Sequence, residues 1–251
     1  MSDAGQAAVQ DIVFRAEHDG SEQRCVEILP PGFNPAVPHD ALVVLHGHGS
    51  DRWQYVRDPR DECRAAREAA VRRRLILISP DYRATMSWMG PAAEADVVQI
   101  LHELRARHRI GKVFLAGASM GGTASLIFAA RHPDLVAGVY SGNGTANLVE
   151  YANFQDAIAA SFGGSKTEVP DEYRRRSPEF FPAAFTMPVA ITAGGQDTAV
   201  PPGSVLRLAE ALRRLGRPVW LIHRPAGGHS TDYADTTAAL DFILDRAATP
   251  P

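Results

Sequence analysis

Hydrophobic residues along this chain cluster in short continuous runs, separated by longer segments in which apolar positions recur at helical spacing. Such runs are typical of strands buried on both faces of a sheet. They lie at residues 41–45, 75–78, 113–116, 136–141, 189–193 and 219–222. Helices are predicted over roughly 61–73, 92–109, 123–131, 201–215 and 231–246. Because strands alternate with helices, we expect an α/β fold with a mostly parallel, doubly wound sheet. An alternating segment at 24–29 predicts an additional antiparallel strand.

One segment departs from this alternation. Residues 143–185 are rich in polar, aromatic and charged side chains, and we expect them to form a short cap-like insertion, irregular or helical. The length of 251 residues suits one α/β domain better than two small ones. We therefore predict a single domain over residues 1–251, with the insertion at about 143–185.

The pentapeptide Gly117-Ala118-Ser119-Met120-Gly121 lies between a predicted strand and a predicted helix. A serine hydroxyl is a weak nucleophile unless the backbone presents it sharply and a base accepts its proton. Glycines on both sides permit a tight, strained turn that exposes the hydroxyl. Small residues around a serine also make ordinary turns, but the strand–turn–helix setting favours Ser119 as a catalytic nucleophile.

A nucleophilic serine needs a base and a group that orients the base. In a parallel sheet these groups lie on loops at the carboxyl ends of strands. Asp197 and His229 occupy two such loops, and we predict that His229 is the general base and Asp197 its orienting acid. Asp197 could instead cap the helix that follows it. His223 is the rival base and Asp232 the rival acid.

The loop after the first buried strand reads His46-Gly47-His48-Gly49, and its glycines free backbone N–H groups to point at a ligand. We expect the N–H groups of His48 and Met120 to form an oxyanion hole, with Gly49 as the alternative to His48. His46 and His48 could also form a metal pair, but no convergent Asp, Glu or Cys cluster accompanies them. We expect neither a metal nor a cofactor.

Composition and charge limit the partners that the chain can have. The formal net charge is −3, and no basic stripe interleaved with aromatic residues suggests a nucleic-acid site. Cys25 and Cys63 are too few for a disulfide framework, and both fit packing roles. The sequence has neither a signal-peptide pattern nor an apolar stretch long enough to span a membrane, so we expect a cytoplasmic protein. The oligomeric state stays open.

Taken together, these motifs resemble the α/β-hydrolase superfamily over roughly residues 25–245. The resemblance rests on His46-Gly47-His48-Gly49, Gly117–Gly122, Gly195-Gln196-Asp197 with Val200-Pro201, and Gly228-His229. Within the superfamily, Asp197-x-x-Val200-Pro201 and the helix ending before Gly216 look like the carboxylesterase, acyl-protein-thioesterase and prolyl-oligopeptidase-like branch. The segments Ser79-Pro80-Asp81-Tyr82-Arg83 and Trp88-Met89-Gly90-Pro91 are also similar to compact prolyl-oligopeptidase-like esterases.

The resemblance implies an α/β-hydrolase fold and an acyl-enzyme on Ser119, with a small or moderate-sized carboxylic ester as substrate. Peptidases of this group usually carry an N-terminal propeller, and residues 1–40 are too few for one, which favours an ester over a peptide. Two alternatives stay open: a small serine peptidase or amidase, and a catalytically silent ligand-binding protein. Trp88 and Trp53 are candidate walls of the substrate pocket, whereas most aromatic residues of the insertion fit its own packing.

Overall fold

The computed structural model describes residues 8–248. Its strands are β1 (Val9–Arg15), β2 (Glu22–Ile28), β3 (His39–Leu45), β4 (Ile76–Pro80), β5 (Ile110–Ala118), β6 (Gly138–Gly142), β7 (Val189–Gly194) and β8 (Val219–Arg224). They form one sheet in the order β1-β2-β4-β3-β5-β6-β7-β8. The pairings among β3 to β8 are parallel, whereas β2 pairs antiparallel with both β1 and β4. The predicted α/β class with a mostly parallel sheet is confirmed.

The helices are α1 (Gln54–Arg57), α2 (Asp61–Arg73), α3 (Pro91–Arg107), α4 (Met120–Arg131), α5 (Gln155–Phe162), α6 (Pro170–Arg175), α7 (Gly203–Arg214) and α8 (Tyr233–Ala248). They cover both faces of the sheet. Alternate residues of β3 show this directly, because Val43 and Leu45 join the core shared with α3, α4 and α7, while Leu42 and Val44 join the core shared with α2 and α8. A strand buried on both faces needs apolar residues at every position, which explains the continuous run in the sequence.

The strand β1 was not predicted from the hydrophobic pattern. It lies at the edge of the sheet, and Phe14 is the only one of its residues that is buried. Its apolar residues form neither a run of four or more nor a regular alternation, because Val9 and Val13 are exposed and Ile12 packs only partly against the core.

Residues 143–185 follow β6 and carry α5, α6 and two 3₁₀ turns at Pro178–Phe180 and Pro182–Ala184. An arginine from this segment, Arg176, is buried against α3 with 2% of its side chain exposed. Its guanidinium contacts Glu94 at 2.6 Å and Glu172 at 2.5 Å, and it donates to the carbonyl oxygen of Met89 at 2.6 Å. The contacts with Glu94 and Met89 tie the segment to the body of the fold, whereas the contact with Glu172 lies within the segment.

Glu94 is the hub of this buried cluster. Besides Arg176, its carboxylate contacts Arg131 and His132, each at 2.7 Å. Burial raises the pKa of the Glu94 carboxyl, but the hydrogen bond with His132 and the charges of Arg176 and Arg131 outweigh burial and lower that pKa to about 2. The carboxylate is therefore ionised in the folded protein down to strongly acidic pH.

Candidate active site

Ser119 occupies the sharp turn between β5 and α4, with φ 59° and ψ −123°. Non-glycine residues rarely adopt such a backbone conformation, which costs on the order of 1–3 kcal/mol. Glycine is required on both sides of Ser119 because other backbone atoms approach these two positions too closely for a side chain. A Cβ on Gly121 would lie 1.9 Å from the carbonyl oxygen of Leu45, and a Cβ on Gly117 would lie 2.4 Å from the backbone of Gly121. The pentapeptide pattern thus reflects how tightly the start of α4 is pressed against the end of β3.

The structure brings the three predicted residues together. His229 Nε2 lies 2.9 Å from Ser119 Oγ, and His229 Nδ1 lies 2.6 Å from Asp197 Oδ2. The Asp197 side chain is buried, with 1% exposed, and its Oδ1 accepts the N–H of Val200 at 2.8 Å. One carboxylate oxygen of Asp197 therefore stabilises the local turn, and the other orients His229. The rivals His223 and Asp232 take no part in this chain of hydrogen bonds.

The loops that carry Asp197 and His229 are held against each other by their backbones. Gln196 donates its N–H to the carbonyl oxygen of Gly227 at 2.8 Å. A Cβ on Gly194 would lie 2.1 Å from the carbonyl oxygen of Gly228, so the loops approach too closely for any side chain at that position. Glycine is needed here for contact rather than for a turn, and the contact fixes the separation of the acid and the base.

The loop after β3 settles which amides are free near the nucleophile. Gly47 donates its N–H to the buried Gln54 Oε1 at 2.8 Å, and Gly49 donates its N–H to the carbonyl oxygen of Thr85 at 2.8 Å. Within residues 8–248 the N–H of His48 has no acceptor. Met120 begins α4, where an N–H has no intrahelical partner. Of the two candidates in this loop, the amide of His48 is therefore the one available to a ligand.

The surroundings of the His48 side chain favour its neutral form. Its Nδ1 accepts a hydrogen bond from Trp88 Nε1 at 3.3 Å, and its ring packs at a tilt against Phe154 with centroids 4.6 Å apart. Desolvation by burial lowers the pKa of His48. A neutral ring on this loop keeps a positive charge away from the apolar surface that Phe154 extends.

Trp88 and Trp53 were predicted to form walls of the substrate pocket, and neither lines a cleft near Ser119. Trp88 is fully buried, 0% exposed, behind His48 and Phe154, so it supports the wall of the site without lining open space. Trp53 lies under the guanidinium of Arg57, 3.6 Å from the ring centroid, and lines neither cleft beside the nucleophile. Long-range packing, invisible to the sequence pattern, decides both positions.

Two clefts lie near the candidate site residues, one with Ser119 in its lining and one with His48 but not Ser119 in its lining. A polar cleft of about 380 Å³ reaches Ser119 and is lined by Gly47, Gln54, Arg60, Asp61, Glu62, Ala118, Asn143, His229, Ser230, Thr231 and Asp232. An apolar groove of about 500 Å³ is lined by His48, Met86, Phe154, Gln155, Asp156, Ala157 and Ala160. The sequence analysis did not identify Asn143 as a residue near the site. Asn143 directly follows β6, and the other candidate residues were also found at the carboxyl ends of strands. Met86 was missed because no motif surrounds that residue.

No group of three or more His, Cys, Asp or Glu side chains in the described part of the chain is placed to hold a metal ion. Likewise, no helix between residues 8 and 248 is long and apolar enough to cross a bilayer.

Solved structures with the same fold include two enzymes of similar size. The fluorophosphonate-binding serine hydrolase FphF of Staphylococcus aureus is 22% identical, with a TM-score of 0.70 over 98% of this chain and all of its own. A ferulic acid esterase is 18% identical, with a TM-score of 0.75 over 98% of this chain and all of its own. The acylaminoacyl peptidase of Pyrococcus horikoshii is 15% identical, with a TM-score of 0.74 over 99% of this chain but 43% of its own.

Among curated proteins, none matches the sequence. The family model of the prolyl oligopeptidase family matches residues 82–245, which is more than half of the chain and includes Ser119, Asp197 and His229. The chain belongs to the prolyl oligopeptidase family.

Proposed function

We propose that this serine hydrolase cleaves carboxylic esters of small or moderate size through an acyl-enzyme on Ser119. The observation that carries the proposal is the continuous chain of hydrogen bonds from Ser119 Oγ through the imidazole of His229 to the buried carboxylate of Asp197. A serine in this environment has a base in contact with its hydroxyl and a group that fixes the tautomer of the base, which is the arrangement that activates a serine nucleophile.

In the first step His229 Nε2 accepts the proton of Ser119 while Oγ attacks the ester carbonyl. The negative charge that develops on the carbonyl oxygen is stabilised by the amides of His48 and Met120, each donor contributing roughly 3 kcal/mol. His229 then returns its proton to the departing alcohol oxygen. In the second step a water loses a proton to His229, attacks the acyl-enzyme, and releases the acid as Ser119 regains its hydrogen.

The apolar groove fits the acyl side of the ester. It begins at His48, whose amide is a proposed oxyanion donor, and it continues along Met86 and Phe154, which are 49% and 39% exposed. Exposed apolar side chains beside a nucleophile offer a surface that a hydrocarbon acyl chain can cover. Their number is small, which favours short acyl chains over long ones.

A direct test is labelling with a fluorophosphonate together with hydrolysis of a series of nitrophenyl esters of increasing acyl length. Ser119→Ala should abolish labelling and hydrolysis, and His229→Ala should lower hydrolysis by several orders of magnitude. His223→Ala is the matched control, because His223 lies near the end of β8, the strand that precedes the His229 loop, and it is not the histidine bonded to Ser119. Full activity in Ser119→Ala would refute the proposal.

Family membership favours one further candidate, the hydrolysis of peptide or amide bonds. The chain spans 36–43% of four peptidase structures with this fold, so their activities concern much longer chains. Matched nitrophenyl esters and nitroanilides with the same acyl group separate the two functions, since amide cleavage depends more strongly on protonation of the leaving group. A higher kcat/KM for nitroanilides, after correction for their lower intrinsic reactivity, would support the peptidase.

A further inference from the structure

The polar cleft beside His229 lies where the alcohol of an ester would leave. In the proposed mechanism His229 Nε2 protonates the departing oxygen, so the rest of the alcohol extends from that atom. The cleft is lined by His229, by the three residues that follow it, and by Ala118, which precedes the nucleophile. The apolar groove is a separate space, which includes His48 in its lining and shares no lining residue with this cleft.

Asn143 lines this cleft with an unused hydrogen-bonding group. The residue is 5% exposed, and its Oδ1 is buried without a partner among residues 8–248. Its backbone is held in the left-handed region, with φ 45°, and its N–H donates to the carbonyl oxygen of Thr192 at 2.8 Å. A buried carboxamide oxygen without a partner is costly, and a ligand that donates a hydrogen bond to it would remove that cost.

A second group on the cleft also has spare capacity. The Glu62 side chain is 12% exposed, and its one ion pair in the described chain is with Arg60 at 3.6 Å, beyond hydrogen-bonding distance. Asp232 uses Oδ1 to accept the N–H of Asp235 at 2.7 Å. The cleft thus presents an excess of hydrogen-bond acceptors and carries three carboxylates against one guanidinium.

A ligand that matches these acceptors would donate hydrogen bonds and carry no negative charge. Alcohols with several hydroxyl groups meet both conditions. Quaternary ammonium groups are held by aromatic rings, and apart from the imidazole of His229 the cleft has no ring among its lining residues. We propose that the released alcohol is polyhydroxylated, such as glycerol or a sugar, and that Asn143 and Glu62 accept hydrogen bonds from its hydroxyls. This inference rests on the proposed esterase function.

The test compares butyrate esters that differ only in the alcohol: glycerol, glucose, 1-butanol and choline. Hydrolysis is followed by release of acid at constant pH. The glycerol or glucose ester should have a kcat/KM at least about tenfold above that of butyl butyrate. Asn143→Gly, which tolerates φ 45°, should reduce this preference about 3- to 10-fold, and Glu62→Ala by about 10-fold or more, since hydrogen bonds to charged groups are stronger.

Asn34→Gly is the matched control, because Asn34 is exposed and is not among the residues that line the cleft; it should leave the preference unchanged. Equal kcat/KM for butyl and polyol esters, or a preference for the choline ester, would overturn the inference. So would variants that lower both classes of ester equally, which is what a purely structural role would produce. Hydrolysis of nitrophenyl butyrate distinguishes failure of this inference from failure of the proposed esterase function. If the protein does not hydrolyse nitrophenyl butyrate either, the esterase function itself is wrong, and the inference falls with it.

Discussion

Replacing Gly121 with alanine would probe how the turn at the nucleophile is held. Gly121 is the second residue of α4, and an added Cβ would lie 1.9 Å from the carbonyl oxygen of Leu45, the last residue of β3. Contact between these atoms becomes ordinary at about 3.4 Å, so the two backbones have to separate by about 1.5 Å. Because β3 is paired on both sides, with β4 and β5, it cannot simply move aside.

Forcing the two backbones apart should lower both the free energy of unfolding and kcat. Overpacking a tight contact lowers the free energy of unfolding by about 1–3 kcal/mol, and the better helix propensity of alanine restores up to about 1 kcal/mol. Gly121 directly follows Met120, and Leu45 directly precedes the loop that carries His48. The two proposed oxyanion donors therefore move apart. A misplacement of about 1 Å in a catalytic geometry costs on the order of 100-fold, and we expect kcat to fall by at least that factor.

The measurements are nitrophenyl ester kinetics and unfolding in urea. Gly203→Ala is the matched control, because Gly203 begins α7 and its added Cβ would meet only the flexible tip of Arg207, at 3.3 Å. It should leave kcat unchanged and stability equal or slightly higher. A Gly121→Ala variant with wild-type kcat and an unfolding free energy like that of the control would refute the argument from close approach.

Three further outcomes are expected. Asp197→Asn should lower kcat by up to about four orders of magnitude with folding retained, measured by ester hydrolysis and circular dichroism. Glu94→Gln should destabilise the protein by up to about 3 kcal/mol at pH 7; because the pKa of Glu94 is lowered from 4.5 to about 2, this loss should shrink as the pH falls from 4.5 towards 2, as urea unfolding across that range would show. Burial raises the pKa values of Cys25 and Cys63 to about 12, so neither thiol should react with a thiol reagent at pH 8 until denaturant is added.

Much of the fold could be predicted because its strands are buried on both faces and stand out as continuous apolar runs. The location of the candidate catalytic residues could be predicted from the same runs. Ser119, Asp197 and His229 follow the ends of three such runs, and these ends lie at one edge of the sheet. The choice between the amides of His48 and Gly49 could not be made in this way. It depends on a hydrogen bond to Thr85, which reaches this loop from a distant part of the sequence.

The substrate clefts were the part that sequence reasoning could not supply. Trp88 was expected in a pocket wall, but packing against Tyr151 and Phe154 buries it completely. The spare acceptor on Asn143 is a property of what surrounds the side chain, since an asparagine after a strand is equally consistent with a satisfied turn. Periodicity reports which side chains face the core, whereas partner atoms and open space depend on contacts between segments far apart in the chain.

The position of β8 has a consequence for how the enzyme would fail on heating. This strand is paired only with β7, none of its residues is fully buried, and it leads directly into the loop that carries His229. Fraying of such an edge exposes little core and so requires far less free energy than global unfolding. We expect thermal inactivation to precede the loss of helical circular dichroism. At that stage Ser119 would still occupy its turn, whereas His229 would have moved out of hydrogen-bonding distance. The sheet edge would thus set the upper working temperature, and stabilising contacts there would raise it without altering the core.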